Sequence, residues 1–170
     1  ESLKNRVSKI IKQLDMPTVL FLLGILMSVS ALGTAGVLST MAEGLNNGVH
    51  NAYAISTIIG LLSSVVDNSA LVAASIGMFP IPDAAALAAS ADPAYLSNFL
   101  VDGTFWHMLA YCAGTGGSII IIGSSAGVVA MGLENINIIW YFKKISLLAL
   151  LGYFAGIAVY ILQHFLVSLL

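Results

Sequence analysis

A single carboxylate interrupts one of the apolar stretches of this sequence. Asp67, followed by Asn68 and Ser69, lies between the apolar or small runs SSVV and ALVAA. A carboxylate inside a membrane segment costs roughly 2.5–3.5 kcal/mol to insert unless it is paired, hydrated or bound to a cation. Oxygen atoms of Asn68, Ser69, Ser63 and Ser64 suit a hard cation such as Na⁺. Asp67 is therefore a candidate cation ligand; the alternative is that the apolar segment ends here and Asp67 is a hydrated loop residue.

A second apolar stretch is interrupted by Gly114-Thr115-Gly116-Gly117-Ser118. Glycines let the backbone unwind and expose carbonyl groups, and the hydroxyls of Thr115 and Ser118 are uncharged ligands. The carbonyl end of a half-helix carries partial negative charge and favours a cation. This string is therefore a second candidate site element. The alternative is a tight crossing of two helices that uses small residues.

The string Gly123-Ser124-Ser125-Ala126-Gly127 matches the G-x-S-x-G pattern of serine hydrolases. With His107 on the same apolar stretch, it raises the hypothesis of an intramembrane serine protease. That motif normally lies on a strand-to-helix turn, whereas this one lies in an apolar helical run. His107 is a candidate proton carrier, because imidazole titrates near neutral pH, or else a packed interfacial histidine. Ser64 and Ser124 are candidates for a supporting role.

The composition defines the class of protein that must position these residues. The chain of 170 residues is 59% hydrophobic and 8% charged, against about 25% charged residues in soluble domains. One cysteine and 16 glycines without a period exclude a disulfide scaffold and collagen, and a net charge of −2 argues against a nucleic-acid partner. We therefore predict an all-α integral membrane protein, with lipid as its surroundings, in a single membrane domain over 1–170.

Two uninterrupted apolar runs flank the broken stretches. A basic segment, 1–16, precedes the run over 18–41, which is longer than the core of a signal peptide and long enough to cross a membrane. The run over 145–169 follows an aromatic and basic group typical of a membrane interface. We predict transmembrane helices over both runs. The G-x-x-x-G string 152–156 indicates a close helix contact, within one subunit or between two.

The two broken stretches cover 51–79 and 104–132. Apolar halves of about 10–14 residues are too short to span a membrane alone. Unwound backbone at membrane depth is tolerated only when it is buried in protein or lines a wet cavity. We therefore expect the two interruptions to face each other around such a site.

The distribution of basic residues constrains the topology. All six lie before 18–41 or just before 145–169, and the positive-inside rule keeps both groups cytoplasmic if exactly one broken stretch is re-entrant. The charges do not decide which one. The loop 80–103 has three aspartates and no basic residue, which favours an outer loop with an interfacial segment. That choice makes 51–79 a re-entrant hairpin with its tip at 67–69, and 104–132 a discontinuous transmembrane helix broken at 114–118.

The strings SSVVDNSALVAA, AGTGGSIIIIGSSAGVVAMG and LDMPTVLFLLGILMSVSALGTAG resemble the C-terminal half of NhaD-type sodium/proton antiporters, within the ion transporter superfamily. The resemblance covers nearly the whole chain. It implies one of two inverted repeats, each with a re-entrant helical hairpin, a discontinuous transmembrane helix and flanking transmembrane helices. It also implies exchange of Na⁺ or Li⁺ for H⁺, a homodimer, and an N-terminal half of the same transporter as the partner of this chain.

The resemblance assigns roles to particular residues. Asp67, Asn68 and Ser69 match the hairpin tip, and Asp15 matches the acidic residue ahead of the first span. The unwound helix is matched by Thr115, Gly116, Gly117 and Ser118. We expect Na⁺ at Asp67, Asn68 and Thr115 as a transported ion, no resident cofactor and no enzyme activity, in an inner (plasma) membrane of bacterial type.

Other functions stay open from the sequence. A relative that carries arsenite or a dicarboxylate is the nearest alternative, although no arginine follows Arg6 to clamp a carboxylate substrate. A membrane assembly subunit without its own site is another. The chain has no phosphate-binding loop, which favours transport driven by ion gradients over transport driven by ATP.

Overall fold

The computed structural model describes residues 16–169, and the regular secondary structure in that part of the chain is entirely helical. The predicted basic segment 1–16 therefore lies outside the described residues except for Met16, and Asp15 lies outside them too. The helices in chain order are α1 (Met16–Thr34), α2 (Val37–Val49), α3 (Ala52–Leu62), α4 (Asn68–Met78), α5 (Ala84–Ala89), α6 (Pro93–Ser97), α7 (Thr104–Gly116), a 3-10 turn (Ile121–Gly123), α8 (Ser125–Leu133), α9 (Ile138–Lys144) and α10 (Ser146–Ser168).

The first apolar run bends before it ends. A continuous helix over 18–41 was expected, but α1 stops at Thr34 and α2 leaves at an angle of 75°. Gly36 lies between them with φ of 76°, a left-handed conformation that glycine adopts without the steric penalty of a Cβ. The boundary at Met41 is therefore wrong, because the turn at Gly36 redirects the chain.

The predicted hairpin region forms two helices joined by a short turn. Asn51 caps α3, its side-chain oxygen accepting a hydrogen bond from the Ala54 amide at 3.1 Å. The turn covers 63–67, and Asp67 caps α4. The helix–turn–helix lies where the sequence placed it; its re-entrant position in a membrane stays a prediction.

The loop 80–103 carries the short helices α5 and α6, capped by Asp83 and Asp92. A carboxylate oxygen of Asp92 lies 3.6 Å from the His50 ring nitrogen Nε2, at the end of α2. The Tyr95 ring stacks on the His50 ring at 4.0 Å between centroids. These contacts dock the loop on α2. The hydrogen bond from the Tyr95 backbone amide holds the pKa of Asp92 below its usual value, and the neighbouring His50 lowers it further.

The centre of the fold is the packing of α3 against α7. The Ser56 hydroxyl donates to the Ala52 carbonyl of its own helix at 2.9 Å and lies 3.3 Å from the Phe105 carbonyl of α7. Ser63 donates to the Ala113 carbonyl at 2.8 Å. In these two pairs the residue numbers rise together along both helices, so α3 and α7 run parallel. The contact is close because Gly60 packs directly on Cys112.

Helix α10 covers this pair on one side. The Tyr153 hydroxyl donates to the Thr57 carbonyl at 2.8 Å, while the Tyr53 hydroxyl lies 3.2 Å from the His164 ring. Positions rise along α10 as they fall along α3, so α10 is antiparallel to it.

Only α10, over Ser146–Val167, is long and apolar enough by itself to cross a membrane among residues 16–169. The bent pair Val19–Thr34 and Val37–Val49 passes the same criteria together, while α3 and α4 are shorter apolar helices. Many large apolar side chains of α1 and α10 are exposed, such as Met27 at 65% and Leu148 at 67%. These surfaces suit a lipid environment.

Candidate functional site

The turn 63–67 is tied to α7 by a buried serine. Ser63 is fully buried and makes the hydrogen bond to the Ala113 carbonyl described above. Ser64, also buried, donates its hydroxyl back to the Leu61 carbonyl at 2.7 Å. The Ser63 hydroxyl therefore supplies a donor to a carbonyl in the last turn of α7, where carbonyls lack helical partners. The Leu61 carbonyl also accepts the Ser64 amide at 3.1 Å, so Ser63 is the serine that ties the end of α3 to α7.

Asp67 begins the next helix. Its Oδ2 atom accepts hydrogen bonds from the amides of Ser69 at 3.0 Å and Ala70 at 3.3 Å. A carboxylate at this position satisfies free amides and interacts favourably with the positive end of the helix dipole. Oδ1 takes no hydrogen bond from the described part of the chain. The side chain is half-buried, so Oδ1 is available to a ligand.

The second break lies further along the chain than predicted. Gly114, Thr115 and Gly116 belong to α7, and the irregular segment covers 117–124. The prediction of a break at 114–118 is therefore wrong in its first three positions. The Ser118 amide donates to the Thr115 carbonyl at 3.0 Å, which closes α7 with a tighter turn before the chain extends at Ile120, with φ of −122°.

The hydroxyl groups near this break have different partners. Thr115 donates its hydroxyl to the Tyr111 carbonyl at 2.7 Å, and the oxygen keeps acceptor capacity for a cation. Ser124 caps α8, its hydroxyl oxygen accepting a hydrogen bond from the Gly127 amide at 3.1 Å. The Ser118 carbonyl accepts a hydrogen bond from the Tyr141 hydroxyl at 2.7 Å.

Glycines bring the two interruptions into contact. A Cβ added at Gly116 would overlap the Gly60 carbonyl, and one added at Gly123 would overlap the carbonyls of Ser63 and Ser64. Backbone therefore packs directly on backbone between α3, its turn 63–67 and the break 117–124. The first two residues of the turn therefore lie against Gly123 of the break; that the two interruptions enclose an ion site stays a prediction.

A groove of about 440 Å³ opens beside this contact. Asn68 and Ser69 line it from α4, while Ala113 and Gly114 line it from α7. The small residues of α7 leave the polar side chains of the hairpin tip accessible. Asn68 and Ser69, which directly follow Asp67 in the chain, thus lie in a groove that reaches the last turn of α7.

Other candidate residues do not join this site. His107 is exposed on α7, about 15 Å along the helix axis before the break begins. Ser125 is the first residue of α8 and is exposed. The G-x-S-x-G string occupies the end of the break and the start of α8, and no strand precedes it in residues 16–169. Within those residues, no three His, Cys, Asp or Glu side chains come together.

Two residues that contribute contacts at the interruptions were not predicted from the sequence. Gly60 was treated as part of an apolar run, although a lone glycine between isoleucine and leucine could have indicated a close helix contact. Tyr141 was treated only as part of an interfacial aromatic group. Its partner Ser118 is distant along the chain, so no local pattern could have identified the bond.

These features define a class of protein. A chain that is entirely helical over 16–169, with exposed apolar helices and two mutually packed helix interruptions, one bearing a carboxylate, is compatible with a membrane transporter.

Comparison with known proteins identifies the class further. The chain is 42% identical to sodium/proton antiporter 1 of Arabidopsis thaliana over 96% of its length, and 41% identical to sodium/proton antiporter 2 of that plant over 91%. It is 32% identical to the Na⁺/H⁺ antiporter NhaD of Halomonas elongata over 87% of its length. No family model matches it, and no solved structure does.

The chain is therefore homologous to a segment of the NhaD-type and plant sodium/proton antiporters, and the resemblance to these antiporters is confirmed. That the segment is their C-terminal half stays a prediction. The chain covers 26%, 33% and 26% of the three relatives named above. Such relatives are transporters rather than enzymes and imply an integral membrane protein.

Proposed function

We propose that this chain is the C-terminal half of a secondary antiporter that exchanges Na⁺ or Li⁺ for H⁺. The observation that carries the proposal is the direct packing of turn 63–67 on break 117–124 beside Asp67. In a chain homologous to sodium/proton antiporters over most of its length, this contact joins the turn that ends at the carboxylate of Asp67 to the segment that follows the carbonyl end of α7. Both groups favour a cation.

In the proposed mechanism, Asp67 binds either the cation or a proton. Oδ2 remains on the amides of α4, while Oδ1 faces the ion. Asn68, Ser69 and Thr115 add neutral oxygens, and the carbonyls near Gly116, Gly117 and Ser118 contribute the negative end of α7. Protonation of Asp67 removes most of its attraction for the cation, so one site loads the two ions alternately.

The rest of the site belongs to other parts of the assembly. We assign it to an N-terminal half of the same transporter, arranged as an inverted repeat, with Asp15 and His107 kept as candidate supporting groups. A homodimer in a membrane of the bacterial inner-membrane type completes the proposal. The lone half would not transport by itself.

Two rival functions receive less support. A dicarboxylate carrier needs a cationic clamp, and no arginine follows Arg6. A serine protease needs His107 near Ser125, but the two lie on different helices, with His107 well before the break. The exchange of monovalent cations for protons accounts better for the carboxylate and its neutral neighbours.

The test is Na⁺-driven pH change in everted vesicles that contain the complete transporter. In simple competition, each tenfold rise in proton concentration in the range where Asp67 is protonated raises the half-saturating Na⁺ concentration about tenfold, equivalent to ~1.4 kcal/mol. A half-saturating Na⁺ concentration that does not change with pH over that range would exclude a carboxylate for which Na⁺ and H⁺ compete.

The orientation has its own test. With the amino terminus cytoplasmic, a single cysteine near Ala89 is labelled from outside, while cysteines near Lys9 and Lys143 are labelled only from inside. Labelling at position 143 from outside would contradict the assignment of one re-entrant hairpin.

A further inference from the structure

The break 117–124 is held by a side chain from a separate helix. The Tyr141 hydroxyl on α9 donates to the Ser118 carbonyl at 2.7 Å, the usual distance for a well-formed O–H···O hydrogen bond. The other backbone hydrogen bonds of the break are local, such as Ser118 to Thr115 and Gly123 to Ile120. Among the hydrogen bonds of the described residues, the one from Tyr141 therefore joins the break to a distant part of the chain, in addition to the packing of Gly123 on the turn 63–67.

Helix α9, which carries that hydroxyl, is stabilised at both of its ends. Asn137 caps its amino end, its side-chain oxygen accepting hydrogen bonds from the amides of Ile139 at 2.8 Å and Trp140 at 3.4 Å. Lys143 and Lys144 occupy the last turn, where positive charge stabilises a helix.

The exposure of α9 side chains shows which way the helix faces. Trp140 and Phe142 are 52% and 59% exposed, whereas Tyr141 between them is half-buried. Of these three aromatic side chains, the half-buried one is the one whose hydroxyl bonds to the break.

We propose that Tyr141 is a positioning residue for the cation site at the carboxyl end of α7. It acts through the Ser118 peptide group, and it does not touch the ion. The proposal rests on the antiporter function proposed above.

The physical reason is preorganisation. The carbonyls that end α7 carry the negative end of the helix dipole, and a glycine-containing segment follows them. Holding Ser118 keeps the turn that closes α7 in one arrangement before the ion arrives, which lowers the ordering cost of binding. The effect falls on affinity, because the charge that exchanges between Na⁺ and H⁺ belongs to Asp67 and not to the break.

The test compares Tyr141→Phe with Tyr111→Phe in the complete transporter. Tyr141→Phe removes one hydrogen bond, which at typical strength corresponds to a two- to tenfold rise, roughly, in half-saturating Na⁺; the maximal rate stays at the parental level. Tyr111 also donates its hydroxyl to a backbone carbonyl, that of Tyr153 at 3.3 Å on α10, away from the break. Tyr111→Phe is expected to keep the parental half-saturating Na⁺ concentration.

Amide hydrogen exchange supplies a second measurement that needs no transport. Tyr141→Phe is expected to speed exchange of the amides in 117–124 and to leave α3 as slow as in the parent. Unchanged exchange in that segment would overturn the proposal, since Tyr141 would then hold nothing.

The transport measurements distinguish the antiporter function from the role of Tyr141. A parent protein that moves no Na⁺ would overturn the antiporter function itself. A transporting parent whose Tyr141→Phe variant keeps the parental half-saturating Na⁺ overturns only the role of Tyr141. A lower maximal rate at unchanged half-saturation also overturns it, because that result indicates a general structural role.

Discussion

The two helix interruptions of this chain lie at opposite kinds of helix end and need opposite hydrogen-bonding partners. Turn 63–67 leads into the amino end of α4, where free amides need acceptors, and the carboxylate of Asp67 supplies one. Break 117–124 follows the carboxyl end of α7, where carbonyls need donors, and Tyr141 supplies one to Ser118. The first contains an ionisable side chain, whereas the second contains only glycine, serine and isoleucine.

This difference separates two properties of the proposed site. A change of protonation can act at the first interruption, because Asp67 carries the charge. The second interruption depends on backbone geometry, since Gly116 and Gly123 pack on carbonyls of the α3 region. Removing charge is therefore expected to abolish exchange, while adding volume at the glycines is expected to disturb the fold.

The largest expected effect is that of Asp67→Asn. Asparagine caps helices as well as aspartate does, so α4 should form and the protein should insert normally. The exchangeable charge is gone, and Na⁺-driven proton movement in vesicles is expected to fall to background. Parental exchange by a correctly inserted variant would show that Asp67 is only a helix cap.

Asp92→Asn is the matched control for that experiment. Asp92 also caps a helix, accepting a hydrogen bond from the Tyr95 amide at 2.9 Å, but it lies in the loop 80–103 outside both interruptions. We expect exchange at the parental rate. A comparable loss in both variants would mean that exchange responds to acidic residues in general.

The second prediction compares Gly116→Ala with Gly114→Ala. A methyl group at 116 overlaps the Gly60 carbonyl, so overpacking should cost about 1–3 kcal/mol of unfolding free energy. A methyl group at 114 meets no atom within 4 Å, and alanine is preferred to glycine inside a helix by up to about 1 kcal/mol. Unfolding of the purified protein in detergent measures both.

The outcome also tests where the break lies. If the backbone were unwound from 114 onward, Gly114→Ala would gain nothing from helix propensity. Equal stability of the two variants would contradict the close approach of α3 and α7.

A smaller effect is expected for Ser63→Ala. The change removes the buried hydrogen bond to the Ala113 carbonyl, which should cost about 1 kcal/mol of stability. Ser97→Ala, at an exposed serine with a local bond to the Ala94 carbonyl, should stay within about 0.5 kcal/mol of the parent. Equal unfolding midpoints for both variants would show that Ser63 does not fasten the turn to α7.

The smallest expected effect is on the pH dependence of the unfolding free energy, through Asp92 in the loop 80–103. The Tyr95 amide, and after it His50, hold the pKa of Asp92 below its ordinary value of 3.8. The carboxylate therefore favours the folded state above that ordinary value, and this contribution is lost as pH falls through the lower folded pKa. Asp92→Asn removes the titration, so its unfolding free energy should fall less steeply below about pH 4. Identical slopes would show that the loop contact is not coupled to this carboxylate.

Much of the architecture could be predicted from local sequence. The apolar runs with few charges indicate membrane helices, and Asp67 between two such runs marks the start of α4 because an aspartate is a strong helix cap. Two interruptions of the right type were therefore predictable. Their residue types also indicated a cation site and the antiporter resemblance that homology confirms.

The tertiary structure decided where those interruptions lie and what holds them. Glycine disfavours a helix by only about 1 kcal/mol, so packing of α7 on α3 keeps Gly114 and Gly116 helical and uses Gly116 for a close contact. The bend at Gly36 also needs a structure, because an apolar run alone predicts a straight helix. The bond from Tyr141 to Ser118 joins positions far apart in sequence; no local pattern encodes it, since only the packing of α9 beside the break brings the donor to its acceptor.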